Sequence, residues 1–256
     1  MIKFYMEDSY QYNYSDLSEN IESMFDKNKR YHKAMKTISI LKDYLHETKD
    51  LNLLDVGCST GIMTNEYAKF FNKVVGIDID EKAINYAKNN LNKKNLSFER
   101  IAIEKNSFEK NSFDVITCSH IYEHVPNDTV LIKEIYNLLK PGGICYFAAG
   151  NKFQFFEPHY KLLFLSYFPK SISNIYLRLF RGEKFYYENH KSYKNLKKLV
   201  SNFTIIDYTL KVIKEPEKFY AEDMLKKNTL KYYFINFFAR IFYFLVPTYI
   251  WLLKKT

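Results

Sequence analysis

Two constellations in this sequence carry residue types that could do chemistry. The first is His120-x-x-Glu123-His124, directly after the apolar run FDVITCS, with Glu157-Pro-His159-Tyr160 further along. Histidine titrates near neutral pH, so His124 or His159 could act as general base toward a weakly acidic hydroxyl, with Tyr160 as a wall for the substrate. On a helical turn, positions 120, 123 and 124 would share a face and could instead hold a metal ion. A third reading is structural: the Glu-His pair shapes a cleft and caps the turn before Pro126. His124 and His159 stand as the catalytic candidates, and the identity of any metal is open.

The second constellation is a glycine-bearing turn, Asp55-Val-Gly-Cys-Ser-Thr-Gly61, which follows the apolar run LNLL. Gly57 and Gly61 would let the backbone approach a ligand closely and adopt positive φ. A helix beginning near Ile62 would aim its free N–H groups at that ligand. Asp78 ends the next apolar run 21 residues after Gly57, close to the spacing at which an acidic residue reaches ribose hydroxyls. The dinucleotide fingerprint would need glycines at 59 and 62, where Ser59 and Ile62 stand, and no Lys-Ser/Thr pair marks a phosphate loop. A nucleoside ligand without a pyrophosphate fits better than NAD or ATP.

What must position these residues is an alternation of short apolar runs and amphipathic helices. Residues 30–46 repeat Tyr31, Ala34, Met35, Ile38, Leu41 and Leu45 at helical spacing. LNLLDVG, KVVGIDI, LSFERIAI, FDVITCS and ICYFAAG read as buried strands. Between them, 62–71, 81–91 and 127–140 read as helices, with Asp80 capping the second and Pro141-Gly142-Gly143 stopping the third. This is the signature of βαβ units: an α/β, doubly wound sheet that is mostly parallel, with right-handed crossovers and helices on both faces. Residues 151–190 break the pattern with an aromatic, basic stretch that reads as an insertion over the carboxyl edge of the sheet. A helix over 191–202 and the strand TIIDYTL then resume it. The expected organisation is an N-terminal helical segment (1–48), a ligand-binding core (49–150), an insertion or lid (151–190) and a C-terminal completion of the sheet (191–256).

Four motifs now stand in order. LLDVGCSTGIMT resembles motif I of class I S-adenosylmethionine-dependent methyltransferases, VVGIDID their second-strand motif, FDVITCSHIYEHVP the fourth-strand motif and LLKPGGICYF the fifth-strand motif. The match is with the type 11 methyltransferases and those of quinone biosynthesis, and it covers residues 50–150. The resemblance implies a Rossmann-like seven-stranded sheet with a last antiparallel strand, for which TYIWLLKK is the counterpart. It also implies S-adenosylmethionine as cofactor. Asp55, Gly57 and Gly61 would hold its methionine end, Asp78 its ribose hydroxyls and Ile79 its adenine, with Cys58, Ile103 and Ser119 completing the site. The sequence departs from the family at Ser59, where a glycine is frequent, and near Ala102-Ile103, where an adenine-binding Asp is frequent and the nearest carboxylate is Glu104. His120-x-x-Glu123-His124 resembles the Glu-x-x-Glu-His of some metal-using members. Asn151 with Glu157-Pro-His159-Tyr160 resembles methyltransferases of cell-surface polysaccharide and glycolipid pathways.

Charge separates the two ends of the chain. Residues 1–150 hold 19 Lys and Arg against 21 Asp and Glu, whereas residues 151–256 hold 19 against 8. The basic excess lies wholly in the later part, which suits an anionic partner there or a lysine-coated solvent face. Cys58, Cys118 and Cys145 form no paired motif, so a zinc ribbon or a disulfide framework is not supported and a reduced, cytoplasmic setting is expected. The first residues lack the basic-then-apolar order of a signal peptide. Residues 231–253 hold ten aromatics, yet Arg240, Asn236 and Pro247 interrupt them, so a helix over 229–245 followed by an edge strand, TYIWLL, is expected rather than a span. That helix would either pack as core or lid, or make peripheral membrane contact through 229–253.

The function these readings imply is methyl transfer, on oxygen, to a small or lipid-linked acceptor such as a saccharide or a quinone precursor. One alternative is an RNA methyltransferase, suggested by the basic tail. Against it, no Asn/Asp-Pro-Pro-aromatic motif follows the fourth strand and no RNA-binding module is recognisable, so no nucleic-acid partner is expected. The other alternative is a non-catalytic S-adenosylmethionine-binding protein at a membrane surface.

Overall fold

The computed structural model describes residues 24–182 and 185–256; residues 1–23 of the expected N-terminal segment lie outside them. α1 (Lys27–Leu45) begins at Asp26, whose carboxylate accepts from the Lys29 amide at 3.0 Å. It buries Ala34, Thr37, Ile38 and Leu41 at the spacing of one helical face. Tyr31, expected on that stripe, is exposed.

The alternation holds through the core: β1 (Asn52–Val56), α2 (Ile62–Tyr67), β2 (Lys73–Asp78), α3 (Glu81–Asn90), β3 (Leu96–Arg100), β4 (Phe113–Ser119), α4 (Asp128–Leu138) and β5 (Leu139–Gly150). Leu54, Val75, Ile116 and Phe147 are buried within the sheet, as continuous apolar runs in parallel strands require. Asp80 caps α3 as expected, accepting from the Ala83 amide at 3.1 Å, and Asn127 caps α4 through the amides of Thr129 and Val130. Some boundaries move. α2 stops at Tyr67 rather than at Phe71, and β3 stops at Arg100, leaving Ile103–Lys105 as a 3₁₀ turn. α4 ends at Leu138, because β5 already begins at Leu139 and runs through Pro141-Gly142-Gly143 with a register shift opposite Phe113 and Val115.

With β8 (Phe203–Asp207) and β9 (Thr248–Lys255), seven strands form one sheet in the order β3-β2-β1-β4-β5-β9-β8. β1 to β5 are parallel, and β9 runs antiparallel to both its neighbours. The antiparallel closing strand is therefore the expected TYIWLLKK, but it is not an edge strand: β9 lies between β5 and β8, with Tyr249, Trp251, Leu252 and Leu253 buried. Pro247 stands just outside β9, where it removes no donor from the ladder, so its presence does not dictate an edge.

The insertion contains more structure than its sequence suggests. A hairpin of β6 (Phe156–Glu157) and β7 (Leu162–Leu163) leads to α5 (Lys170–Arg181), which Gly182 terminates at φ 72°. α6 (Tyr193–Leu199) returns the chain to β8, and α7 (Thr209–Lys214) follows it. α8 (Leu230–Ile241) occupies the expected aromatic segment and gives way to a 3₁₀ turn at Tyr243–Leu245. Of the residues of α8 only Ala239 is buried, so the aromatic helix is not a core helix.

Candidate functional site

A cavity of about 1110 Å³ opens at the carboxyl ends of β1, β2 and β4, walled by α1, α8 and the insertion. That is where open α/β sheets bind their ligands. The turn after β1 forms its floor. Gly57 has φ 73°, and a Cβ there would stand 2.1 Å from Ile121 Cδ1. Ser59, at the position where the family frequently has glycine, itself adopts φ 51°. Its Oγ is buried with no hydrogen-bond partner among the described residues, a donor and acceptor left over for a ligand.

Asp78 ends β2 half-buried, with Oδ2 accepting from the Ser59 amide at 2.7 Å and Oδ1 from the Asp80 amide at 3.0 Å. Burial raises its pKa, against which these amides pull it down. Each oxygen keeps a lone pair free, so the carboxylate fits a ribose diol. Asp55 is engaged differently. Its two oxygens accept from Thr117 Oγ1 and Thr64 Oγ1, both at 2.6 Å, and burial pushes its pKa up to about 6. Cys58 lies on the same wall, and burial raises its thiol far from thiolate character. Ile79, Ile103 and Ser119 also line the cavity, as expected.

Gly61 does not line it. At φ 71° it is the cap residue of α2, and a Cβ there would stand 2.5 Å from the Phe98 ring and 3.0 Å from Ala87 Cβ. Its lack of a side chain serves the packing of the turn onto β3 and α3 rather than ligand approach. α1 supplies a wall that the motif reading missed: Lys29, Arg30, Lys33 and Lys36 border the cavity. Their spacing along one helix face was visible in the sequence, but nothing there tied that face to the turn after β1.

On the wall formed by the turn after β4 and the insertion, the histidines gather. His120, His124 and His159 line it. His124 and His159 meet edge to face, with ring centroids 5.0 Å apart. His159 Nδ1 bonds Glu157 Oε1 at 2.7 Å, and Glu157 Oε2 accepts from the Tyr160 amide at 2.8 Å. Burial opposes a charge on His159, but the Glu157 hydrogen bond and the nearby carboxylates hold its pKa up to about 9. His124 goes the other way: burial, aided by the surrounding imidazoles, pushes it down to about 3. Burial likewise opposes ionisation of Glu157, yet the His159 and His190 imidazoles bring it to about 2.

The triplet read from the sequence as a metal face is not one. His120 Nδ1 lies 3.1 Å from Glu123 Oε1, and Glu123 is fully buried behind the loop. This segment is a turn with His120 at φ 57°, not a helix, so positions 120, 123 and 124 do not present a shared face. The structure instead brings together His124, His159 and Glu188, whose ligand atoms lie within 4.8 Å of one another. Glu188 was missed. The only signal for it was a carboxylate within the aromatic stretch Tyr186-Tyr187-Glu188-Asn189-His190. Tyr160, expected as a substrate wall, instead packs its ring against Tyr186, centroids 5.6 Å apart, on the small core of the insertion.

Comparison with known proteins bears on this geometry. Residues 54–147 match the family model described as a methyltransferase domain. A ubiquinone biosynthesis O-methyltransferase from Colwellia psychrerythraea is 36% identical over 106 residues, which is 40% of this chain and 43% of that protein. The namesake enzyme from Coxiella burnetii is 36% identical over 106 residues, 41% of this chain and 45% of that protein. The chain thus matches less than half the length of these curated relatives. Among solved structures, an S-adenosylmethionine-dependent methyltransferase from Listeria monocytogenes has TM-score 0.56 at 19% identity, covering 88% of this chain and 98% of that one. The plantazolicin methyltransferase BpumL, in complex with a substrate analogue and S-adenosylhomocysteine, has TM-score 0.58 at 17% identity, covering 94% and 90%. These two likenesses establish the fold.

Proposed function

We propose that this chain, whose residues 54–147 form a class I methyltransferase domain, is an S-adenosylmethionine-dependent enzyme that methylates an oxygen of a small acceptor. The observation that carries the reading is that Asp78, Gly57 and the unpartnered Ser59 hydroxyl line the same cavity as His124 and His159. When bound, the cofactor supplies an electrophilic methyl group. Asp78 holds the ribose, Gly57 and Cys58 let the backbone close on the nucleoside, and Ile79 and Ile103 face the adenine. Alignment of the acceptor for in-line displacement supplies much of the rate. His124, which burial keeps neutral, receives the acceptor hydroxyl and takes up its proton, while His159, held protonated beside Glu157, orients the acceptor oxygen. The matched relatives act in ubiquinone biosynthesis by name, which supports a quinone precursor as one acceptor class; a lipid-linked saccharide is the other. A lipid-linked acceptor would be met at a membrane, where the exposed aromatics of α8 and the basic C-terminal part favour peripheral contact through residues 229–245; residues 248–253, expected to share it, lie in β9 within the sheet.

Two measurements test this. Calorimetry with S-adenosylhomocysteine should show binding, weakened roughly tenfold or more by Asp78→Ala through loss of a charged hydrogen bond. Labelled S-adenosylmethionine incubated with quinone precursors and lipid extracts should label one of them. His124→Ala or His159→Ala should lower that turnover by about 10²–10⁴ with cofactor affinity nearly unchanged. An affinity for NAD in place of S-adenosylhomocysteine would refute the assignment; full turnover in both histidine variants would remove the histidines' role and leave catalysis to alignment alone.

A further inference from the structure

His124, His159 and Glu188 reach one point from three separate segments: the turn after β4, the β6–β7 connection and the stretch before α6. Glu188 is 2% exposed, and its Oε2 has no hydrogen-bond partner among the described residues. Its Oε1 lies 3.8 Å from His124 Nδ1. A buried carboxylate oxygen left unpaired is costly, and the groups drawn up beside it are imidazoles, the commonest side-chain metal ligands. His159 is gripped from behind: with Nδ1 bonded to Glu157 Oε1, Nε2 remains to bind a ligand. A carboxylate holding the far nitrogen of a histidine is the usual support of a metal-bound imidazole, because it fixes the tautomer and aims the ring. Glu157 is itself fully buried, with His190 Nε2 3.7 Å from the same oxygen, so this support is rigid.

We infer that His124, His159 and Glu188 bind a divalent transition-metal ion at the histidine wall of the cavity. Two imidazoles and one carboxylate suit zinc, manganese or iron(II); magnesium and calcium prefer oxygen-only shells. Around a tetrahedral ion with bonds of ~2.1 Å, ligand atoms sit about 3.4 Å apart, so the three side chains draw inward by about an ångström on binding. His124 and His159 line the cavity while Glu188 stands behind them, which leaves coordination positions open toward the acceptor. This inference rests on the reading of a hydroxyl acceptor: an oxygen bound to the ion would lose its proton more readily. His120 takes no part, since its nitrogens are not among the ligand atoms that converge with those of His124, His159 and Glu188.

The full chain, stripped with a chelator, is titrated with Zn²⁺, Mn²⁺ and Mg²⁺ by calorimetry, and Co²⁺ is added as a spectroscopic reporter. A single equivalent of zinc or manganese should bind, magnesium at least tenfold more weakly, and cobalt should develop visible absorption bands. Glu188→Gln, which keeps the shape and removes the charge, should weaken zinc binding at least tenfold, and His159→Asn should do the same. His120→Ala should bind as the unaltered protein does. S-adenosylhomocysteine affinity, read on the same samples, reports the fold and the cofactor site independently. Intact S-adenosylhomocysteine binding with no metal binding would overturn the metal site and leave the methyltransferase reading standing. Zinc binding unchanged in both Glu188→Gln and His159→Asn would place the ion elsewhere and overturn it as well. Metal bound with these dependences, but without methyl transfer to any hydroxyl acceptor, would instead refute the proposed reaction.

Discussion

Asp55 shows how a single side chain is held in a form the folded protein disfavours. It is buried at the end of β1, and two threonine hydroxyls supply its hydrogen bonds instead of a cation. Its pKa of about 6 lies above the ordinary aspartate value of 3.8, so the folded state binds its proton more tightly than the unfolded chain does. The sign follows: the ionised carboxylate costs stability, nothing below the unfolded pKa and the full amount above about 6. By linkage that cost is about 3 kcal/mol at neutral pH. Asp55→Asn keeps the shape and cannot ionise. Its stability relative to the unaltered protein should therefore be greater at pH 7 than at pH 4, by up to about 3 kcal/mol, in chemical denaturation at the two pH values. A stability difference that is the same at both would show that Asp55 is not raised by burial. The retention of a carboxylate at this cost fits a role in holding the turn after β1 in its ligand-ready form.

Elements position that turn and the histidine wall, and they differ in how far the chain spells them out. β1 to β5 and their crossovers were legible because parallel strands buried on both faces are continuous apolar runs, and Asp80 and the Pro141-Gly142-Gly143 stretch mark starts and stops. α5 was not legible, although Ile172, Ile175, Tyr176 and Leu179 recur at helical spacing; that apolar stripe faces outward, and only Ser173 and Leu177 are buried. The place of β9 inside the sheet was also hidden, since Pro247 before a strand is compatible with an edge or an interior position. At the site, Asp55, Gly57 and Asp78 followed from motif and spacing. Gly61 was misassigned because its spacing says only that a side chain is excluded, not that a ligand rather than Phe98 excludes it. Glu188 reaches His124 only through the fold of the insertion.

One side chain ties these later elements together. The Asn151 amide nitrogen donates to the carbonyls of Phe244 and Val246, at 2.8 and 2.9 Å, and lies 3.0 Å from the Tyr249 hydroxyl. Its oxygen accepts from the Phe153 amide at 3.1 Å. Asn151 is fully buried at the end of β5. Asn151→Leu would leave the Val246 carbonyl and the Phe153 amide without this partner, the Phe244 carbonyl keeping its bond from the Tyr249 hydroxyl, at a cost of about 2–4 kcal/mol. A lowering of the melting temperature by several degrees is expected in thermal denaturation; an unchanged melting temperature would mean that the turn into β9 is held by packing alone.

At the scale of the whole molecule, charge and exposed apolar surface fall in the same part of the chain. Residues 151–256 carry the entire basic excess. Two helices of that part turn apolar residues outward: α5 with Ile172, Ile175, Leu179 and Phe180, and α8 with Phe234, Phe237 and Ile241. α8 borders the cavity, and α5 is tied to its wall through one side chain. Phe234 and Phe238 line it, and Arg181 at the end of α5 bonds the Tyr160 and Lys161 carbonyls, Lys161 itself lying on the cavity wall. No described helix is long and apolar enough to cross a membrane. Arg240 is exposed rather than packed, as a side chain reaching for headgroups would be. Exposed aromatics alone could equally mark a lid over a water-borne acceptor, and basic charge alone is common on protein surfaces. Their coincidence around one cavity mouth is what a bilayer-borne acceptor would require. Liposome flotation separates the two. Binding should grow with the fraction of anionic lipid and fall at high salt, because each basic residue near such a surface contributes about 1 kcal/mol within a Debye length of ~10 Å at 0.1 M salt. Phe237→Ser with Leu179→Ser, both solvent-facing, should weaken flotation without changing S-adenosylhomocysteine affinity, whereas Arg240→Lys should leave both intact. Failure of the protein to float with any lipid mixture would defeat the membrane reading, and the acceptor would then have to reach His124 and His159 from water.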